Sequence, residues 1–144
     1  RKKVSYTLTY EDARYAIDEL KRKLIAKKEA GDLFGMEREH LAGIIGNLNQ
    51  SFGGRALYPS VEEKAAHLLY FVIKDHPFGD GNKRIASLLF IVFLARNQHL
   101  FTKQGERKIN DITLVALALL IAESKPNQKE VRIKLTINFL KERR

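Results

Sequence analysis

The chain has 144 residues, of which 44% are hydrophobic and 30% are charged, and its formal net charge is +9. This length suits one domain with a hydrophobic core of its own, and the composition excludes a disordered chain. Because cysteine is absent, disulfides and thiolate metal sites are excluded, and the longest apolar runs, 85–95 and 112–122, fall short of the roughly 20 residues of a membrane-spanning helix.

The first half of the chain carries the signals of three helices. Thr9 caps a first helix, whose apolar positions recur at helical spacing until Gly31. A second helical stretch covers about 36–48. Ser60 and Glu63 form a capping box that opens a third helix.

A glycine pair interrupts the helical pattern between the second and third helices. Residues 51–58 place Gly53 and Gly54 between short apolar pieces, which is typical of a β-hairpin. We therefore predict an all-α domain with one small β-hairpin.

The second half carries three more helix signals. The helix from Asn82 to about Arg96 is apolar on every side, so we expect it in the middle of the domain. Asn110 or Asp111 caps the next helix, and Asn127 begins the last one.

The loop before the fourth helix has the features of a phosphate-binding site. The N-terminus of a helix presents unpaired N–H groups and a partial positive charge, which together attract phosphate. Gly79 and Gly81 let the backbone turn tightly and approach a ligand closely, and Asn82 and Lys83 supply N–H donors.

The same loop also carries side chains suited to catalysis. The planar guanidinium of Arg84 matches phosphate oxygens, and the carboxylate of Asp80 is a hard ligand for Mg²⁺. His76 can accept a proton near neutral pH, as a general base must, and Phe78 is interpreted as a buried anchor. The alternative interpretation is a polar turn with a surface histidine, but it does not explain why base, metal ligand and phosphate groups occur together.

Residues 76–84 read His-Pro-Phe-Gly-Asp-Gly-Asn-Lys-Arg and resemble the Fic/Doc signature, His-x-Phe-x-Asp/Glu-Gly-Asn-Gly/Lys-Arg. The predicted hairpin precedes this motif by one helix, as the Fic flap does, and residues 39–97 look like the Fic domain of RhuM-type virulence proteins. The resemblance implies one Fic-type helical domain over residues 1–144 with a small β-hairpin flap. Because the sequence starts with Arg1, we expect it to be a fragment of a longer chain.

What the resemblance implies is a cytoplasmic protein adenylyltransferase, which uses ATP and Mg²⁺ to place AMP on a Ser, Thr or Tyr hydroxyl of a target protein. His76 would be the catalytic base, and Asp80 would hold the metal. The nucleotide would be bound by Gly79, Gly81, Asn82, Lys83 and Arg84. The flap would dock the target by strand pairing through Phe52, Gly53, Gly54, Arg55, Ala56 and Leu57.

One position departs from the pattern of most adenylyltransferases in the family. This chain has Lys83 where they have Gly, as does the toxin Doc, which resembles a kinase and transfers the γ-phosphate. Gly81 is nevertheless kept where Doc has Ala. We favour AMP transfer, with a Doc-like protein kinase as the alternative.

Regulation in the family often depends on an inhibitory helix with Ser/Thr-x-x-x-Glu-Gly/Asn. Thr7-x-x-x-Glu11-Asp12 approaches this pattern, but Glu11 also suits the first turn of a helix, where acidic side chains are favoured. The expected partners are the target protein and an inhibitory, antitoxin-like protein or segment outside this chain. A homodimer is left open.

The basic residues permit a second class of function, a non-catalytic helical binding module with a basic surface. They cluster in 21–28 and at both ends, 1–3 and 141–144. Aromatic residues do not alternate with them, so we expect solvated helix faces and tails rather than a nucleic-acid site. His40, His67 and His99 lack the spacing of metal ligands.

Overall fold

In the computed structural model, residues 1–141 are described, and they form six α-helices and one two-stranded antiparallel hairpin. The all-α class with a small hairpin is confirmed, whereas the last two basic residues of the C-terminal cluster, Arg143 and Arg144, lie outside the described part of the chain. The elements are α1 (Tyr10–Ala26), α2 (Leu41–Leu48), β1 (Ser51–Phe52), β2 (Arg55–Ala56), α3 (Val61–Asp75), α4 (Asn82–Arg96), α5 (Asp111–Ala122) and α6 (Lys129–Leu140).

Side-chain caps start three of the helices, as the sequence predicts. Each cap accepts a hydrogen bond from the backbone N–H three residues later, which satisfies a group that the helix itself leaves unpaired. The distances are 3.1 Å for Thr9 and Asp12, 3.1 Å for Ser60 and Glu63, and 2.8 Å for Asn110 and Thr113.

Three predicted helix limits are wrong. Helix α1 ends at Ala26 rather than Gly31, because Lys28 takes the left-handed conformation with φ 60°. Helix α2 begins at Leu41 and not at residue 36, since residues 36–38 bond to the loop before α4 instead. Asn127 lies within a short 3-10 turn that precedes α6.

Helix α3 occupies the middle of the fold, where it packs against α2, α4, α5 and α6. Helix α4 contacts α1, α3 and α5, and it buries Ile85, Leu89 and Phe93 fully or nearly so. Leu88 and Ile91 on its other sides are only half-buried, so the expectation of a central α4 applies better to α3. The C-terminus of α3 and the N-terminus of α4 meet at the loop 76–81.

The hairpin forms in the predicted place. Ser51 pairs with Ala56 and Phe52 with Arg55, and the two glycines between the strands have φ values of 56° and 79°, which favour glycine. Tyr58, just after β2, stacks on His67 of α3 with the ring centroids 3.9 Å apart. Among the helices in residues 1–141, none has the length and apolar character needed to cross a bilayer.

Candidate active site

A polar cavity of about 290 Å³ opens where α3 ends and α4 begins. All the residues that the motif assigned to catalysis, metal binding or nucleotide binding line it, together with Ile73 and Ala122. The motif residues are His76, Gly79, Asp80, Gly81, Asn82, Lys83 and Arg84.

His76 is the residue that ends α3. Its backbone is left-handed, with φ 49° and ψ 58°, and its side chain is exposed at the cavity. Non-glycine residues seldom adopt this conformation, and they cluster at functional sites where the surrounding structure imposes it. The imidazole therefore lies beside the cavity and is accessible from solvent.

The start of α4 provides an anion cradle. Gly81 occupies the cap position with φ 86° and offers no capping side chain. The N–H of Ile85 makes the helical bond to Gly81 O at 2.8 Å, so the three preceding N–H groups have no acceptor within the helix. These groups, on Asn82, Lys83 and Arg84, can therefore bind phosphate oxygens.

The side chain of Asn82 closes the loop. Its Oδ1 accepts from Phe78 N–H at 3.0 Å, and its Nδ2 donates to Phe78 O at 3.0 Å. Phe78 is itself completely buried, as expected for an anchor. From the sequence, only the backbone N–H of Asn82 was expected to have a role, although an asparagine side chain at a helix start commonly bonds to nearby backbone.

The Phe34 ring packs against the cradle at Gly81. This contact was not identified from the sequence. The ring is fully buried, and a Cβ atom added to Gly81 would lie only 2.2 Å from Phe34 Cε2. The guanidinium carbon of Arg84 lies 5.6 Å from the centre of the same ring, within the range of a cation–π contact.

Phe34 belongs to a backing segment, which we define as residues 34–38, that runs beside the loop 77–80. Three backbone hydrogen bonds join the two. They run from Gly35 N–H to Asp80 O (3.1 Å), from Gly79 N–H to Met36 O (2.8 Å) and from Arg38 N–H to Pro77 O (2.8 Å). No local sequence signal indicates this pairing. The bonded residues are about forty positions apart, and neither the backing segment nor the loop 77–80 has the residue pattern of a regular β-strand.

Asp80 is the carboxylate that could hold a metal. Its side chain is exposed and lines the cavity. Within residues 1–141, no group of three or more His, Cys, Asp or Glu side chains is arranged to hold a metal ion. One carboxylate completed by substrate phosphates is a common way of binding Mg²⁺, so the donor set fits a nucleotide-bound magnesium rather than a protein-only metal cage.

An apolar slot of about 250 Å³ adjoins the polar cavity. It lies between α4 and α5, and the two spaces share Lys83 and Arg84. Its other lining residues are Ser87, Val115, Ala118 and Leu119. Because the two spaces meet at Lys83 and Arg84, an apolar group in the slot could be joined directly to an anion in the cradle.

The flap residues Phe52, Gly53, Gly54, Arg55, Ala56 and Leu57 are exposed and do not line the cavity. The hairpin precedes the start of α3, whereas His76 follows its end. Tyr58 is anchored on His67, which precedes His76 by about 13 Å along the helix axis. Target docking by the flap stays a prediction.

The inhibitory pattern at Thr7 and Glu11 lies away from the cradle. Its neighbour Asp12 contacts Arg96 at 3.4 Å, and Arg96 is at the opposite end of α4 from Arg84, about 18 Å along the axis. Glu11 and Asp12 occupy the first turn of α1, in agreement with the alternative interpretation as helix-dipole partners.

Comparison with known protein families identifies a match over more than half of the chain. A family model described as the Fic/DOC family matches residues 10–94, which is more than half of the chain and includes the whole loop 76–84. Neither a curated protein nor a solved structure matches the chain significantly.

Proposed function

We propose that this chain, which belongs to the Fic/DOC family, transfers AMP from ATP to a serine, threonine or tyrosine hydroxyl of a target protein. The observation that carries the proposal is the junction of the polar cavity with the apolar slot at Lys83 and Arg84. With the base in the slot, the phosphates nearest the nucleoside would lie over the cradle, beside His76. This favours attack at the α-phosphate.

In the proposed reaction, His76 accepts the proton of the target hydroxyl. The hydroxyl oxygen then bonds to the α-phosphorus, and the bond from that phosphorus to the bridging oxygen breaks, which releases pyrophosphate. The N–H groups at the start of α4 and the guanidinium of Arg84 stabilise the charge on the phosphate oxygens. Asp80 would hold Mg²⁺, which neutralises charge on the leaving pyrophosphate.

Phosphoryl transfer is the second candidate, and the observation in its favour is Lys83, which lines the cavity beside the cradle. Gly81 does not discriminate strongly between the two reactions, because packing against Phe34 already requires glycine there.

The proposal is tested by incubating the protein with Mg²⁺ and a cell lysate, in parallel with ATP labelled at the α-phosphate and with ATP labelled at the γ-phosphate. We expect protein labelling only from the α position, and a loss of about 100-fold or more in His76→Ala. Labelling only from the γ position would replace AMP transfer with phosphoryl transfer. If neither label is transferred, while nucleic acid binds in a salt-dependent manner that survives His76→Ala, the binding-module alternative is correct.

A further inference from the structure

Glu37 ties the backing segment to helix α1. Its Oε2 accepts a hydrogen bond from the Tyr10 hydroxyl at 2.5 Å and lies 3.3 Å from Nη1 of Arg14. Tyr10 and Arg14 are four residues apart, so they project from the same face of α1. The Glu37 carboxylate thus receives a hydrogen bond from Tyr10 and forms an ion pair with Arg14, both on α1.

Arg14 strengthens this attachment, because it also donates to the backbone. Its Nη1 bonds to Gly35 O at 3.0 Å, so the guanidinium spans both the side chain and the main chain of the backing segment. The side chains of Arg14 and Glu37 are only 23% and 28% exposed, so the pair is partly shielded from water. The bond to Glu37 raises the pKa of Tyr10, so this hydroxyl stays protonated to a higher pH than that of a free tyrosine.

The backing segment transmits this attachment to the cradle. At one end it carries Glu37, and at the other it carries Phe34, whose ring lies under Gly81 and Arg84. Between them, the three backbone bonds hold the loop 77–80 in place. A shift of the segment would therefore move both the cradle and the guanidinium that binds phosphate.

We propose that Glu37 is a positioning residue for group transfer, acting through the backing segment to fix the cradle and Arg84 against His76. The role in transfer rests on the proposed function, whereas the effect on the loop does not. Misplacement by about 1 Å is enough to lower the rate about 100-fold.

The test compares Glu37→Ala with Glu37→Gln and with a matched control, Asp18→Ala. Asp18 is the other carboxylate partner of Arg14, at 2.5 Å, but its side chain is 62% exposed and belongs to α1 rather than to the backing segment. We expect Glu37→Ala to lower kcat about 10- to 100-fold and to raise KM for ATP by a smaller factor, because the displaced groups also bind the nucleotide. Glu37→Gln keeps an acceptor for Tyr10 and should recover most of the rate, and Asp18→Ala should match the wild type.

Amide hydrogen exchange distinguishes failure of this proposal from failure of the proposed function. In Glu37→Ala, the Gly79 and Arg38 amides should exchange at least about tenfold faster, while amides in the middle of α3 are unchanged. This measurement does not depend on any activity. If Glu37→Ala is not folded, Tyr10→Phe removes one of the two donors and is measured in the same way. Unchanged exchange and unchanged kcat in a folded variant would overturn the proposal.

Discussion

At the scale of single residues, the site combines ordinary side chains with unusual backbone. His76 and Gly81 both have positive φ, at 49° and 86°, and they flank the loop that holds Asp80. Left-handed backbone costs little for glycine but about 1–2 kcal/mol for other residues. The loop is therefore held by its packing and hydrogen bonds rather than by local preference.

Gly81→Ala should destabilise the fold by about 2–4 kcal/mol, through the positive φ and the overlap with Phe34. Gly105 is a matched control, since its φ is also 86° but a Cβ there meets no atom within 4 Å. Gly105→Ala should cost only about 1 kcal/mol. Urea unfolding of both variants checks the difference, and equal losses would show that the contact with Phe34 is unimportant.

We expect the free energy of unfolding to depend on pH through the titration of His67. Burial lowers its pKa from the ordinary 6.5, and Lys129 nearby adds to this effect. The His67 ring therefore binds a proton more readily in the unfolded chain than in the folded one. Its contribution to the free energy of unfolding is complete above pH 6.5 and is lost as the pH falls through the lower pKa of the folded state.

The pH dependence of the unfolding free energy is compared between the wild type and His67→Phe. The variant keeps an aromatic ring packed on Tyr58, but this ring cannot titrate. Between about pH 7.5 and about pH 5, the variant should lose less unfolding free energy than the wild type. His40→Gln, on the surface, should behave like the wild type. An identical pH dependence in all three proteins would contradict the assignment.

The grouping of the motif residues around one cavity was predictable because they are adjacent in sequence, so one loop carries the candidate base, the candidate metal ligand and the candidate anion cradle. Phe34 and Glu37 were not, since each acts through contacts that bring together residues about forty positions apart. The role of the Asn82 side chain was only partly predictable. Its hydrogen bonds to Phe78 are local in sequence, but its position at the helix start also suggested a role for its backbone N–H alone.

At the scale of elements, the ends of α3 and α5 are joined by Lys74. Its Nζ donates to Ser124 O at 2.8 Å and to Ala122 O at 3.3 Å. These carbonyls lie at the C-terminal end of α5, where a cation is favoured and acceptors are unpaired. Because Ala122 lines the polar cavity, this contact fixes one of its walls.

Lys74→Met keeps the apolar part of the side chain and removes the donor, so we expect a loss of about 1–2 kcal/mol in unfolding free energy. Lys134→Met replaces an exposed lysine of α6 and should have almost no effect. Chemical denaturation measures both, and equal losses would argue against a specific role for Lys74.

The starts of three helices could be predicted from their capping residues, because each cap is a local interaction. The start of α2 could not be predicted in the same way. Residues 36–38 suit a helix by composition, but pairing with the loop 77–80 satisfies their backbone groups instead, and such tertiary contacts override local propensity.

At the scale of the whole molecule, the N-terminal segment links the start of α3 with the end of α4. Lys2 N–H donates to Glu62 Oε1 at 3.0 Å, and the N–H groups of Ser5 and Tyr6 both donate to Asn97 Oδ1 at 2.9 Å. Asn97 is completely buried. The segment thus closes the fold at the end opposite the cavity.

Asn97→Ala should lower the free energy of unfolding by about 2–4 kcal/mol, because it empties a fully buried position and leaves the N–H groups of Ser5 and Tyr6 without their acceptor. Asn138→Ala, on the exposed side of α6, is the control and should leave stability unchanged or slightly higher. Thermal unfolding gives the comparison. A small effect of Asn97→Ala would mean that water replaces its hydrogen bonds.

Under the proposed function, the stacking of Tyr58 on the middle of α3 sets a length requirement for a target polypeptide that docks on the hairpin. If the target pairs with the hairpin at the level of His67 and also reaches His76, it must bridge the axial distance between these two residues, about 13 Å. An extended chain covers about 3.3 Å per residue, so at least about four residues separate the paired stretch from the modified hydroxyl. Very short peptides could then serve as acceptors only without the help of the hairpin.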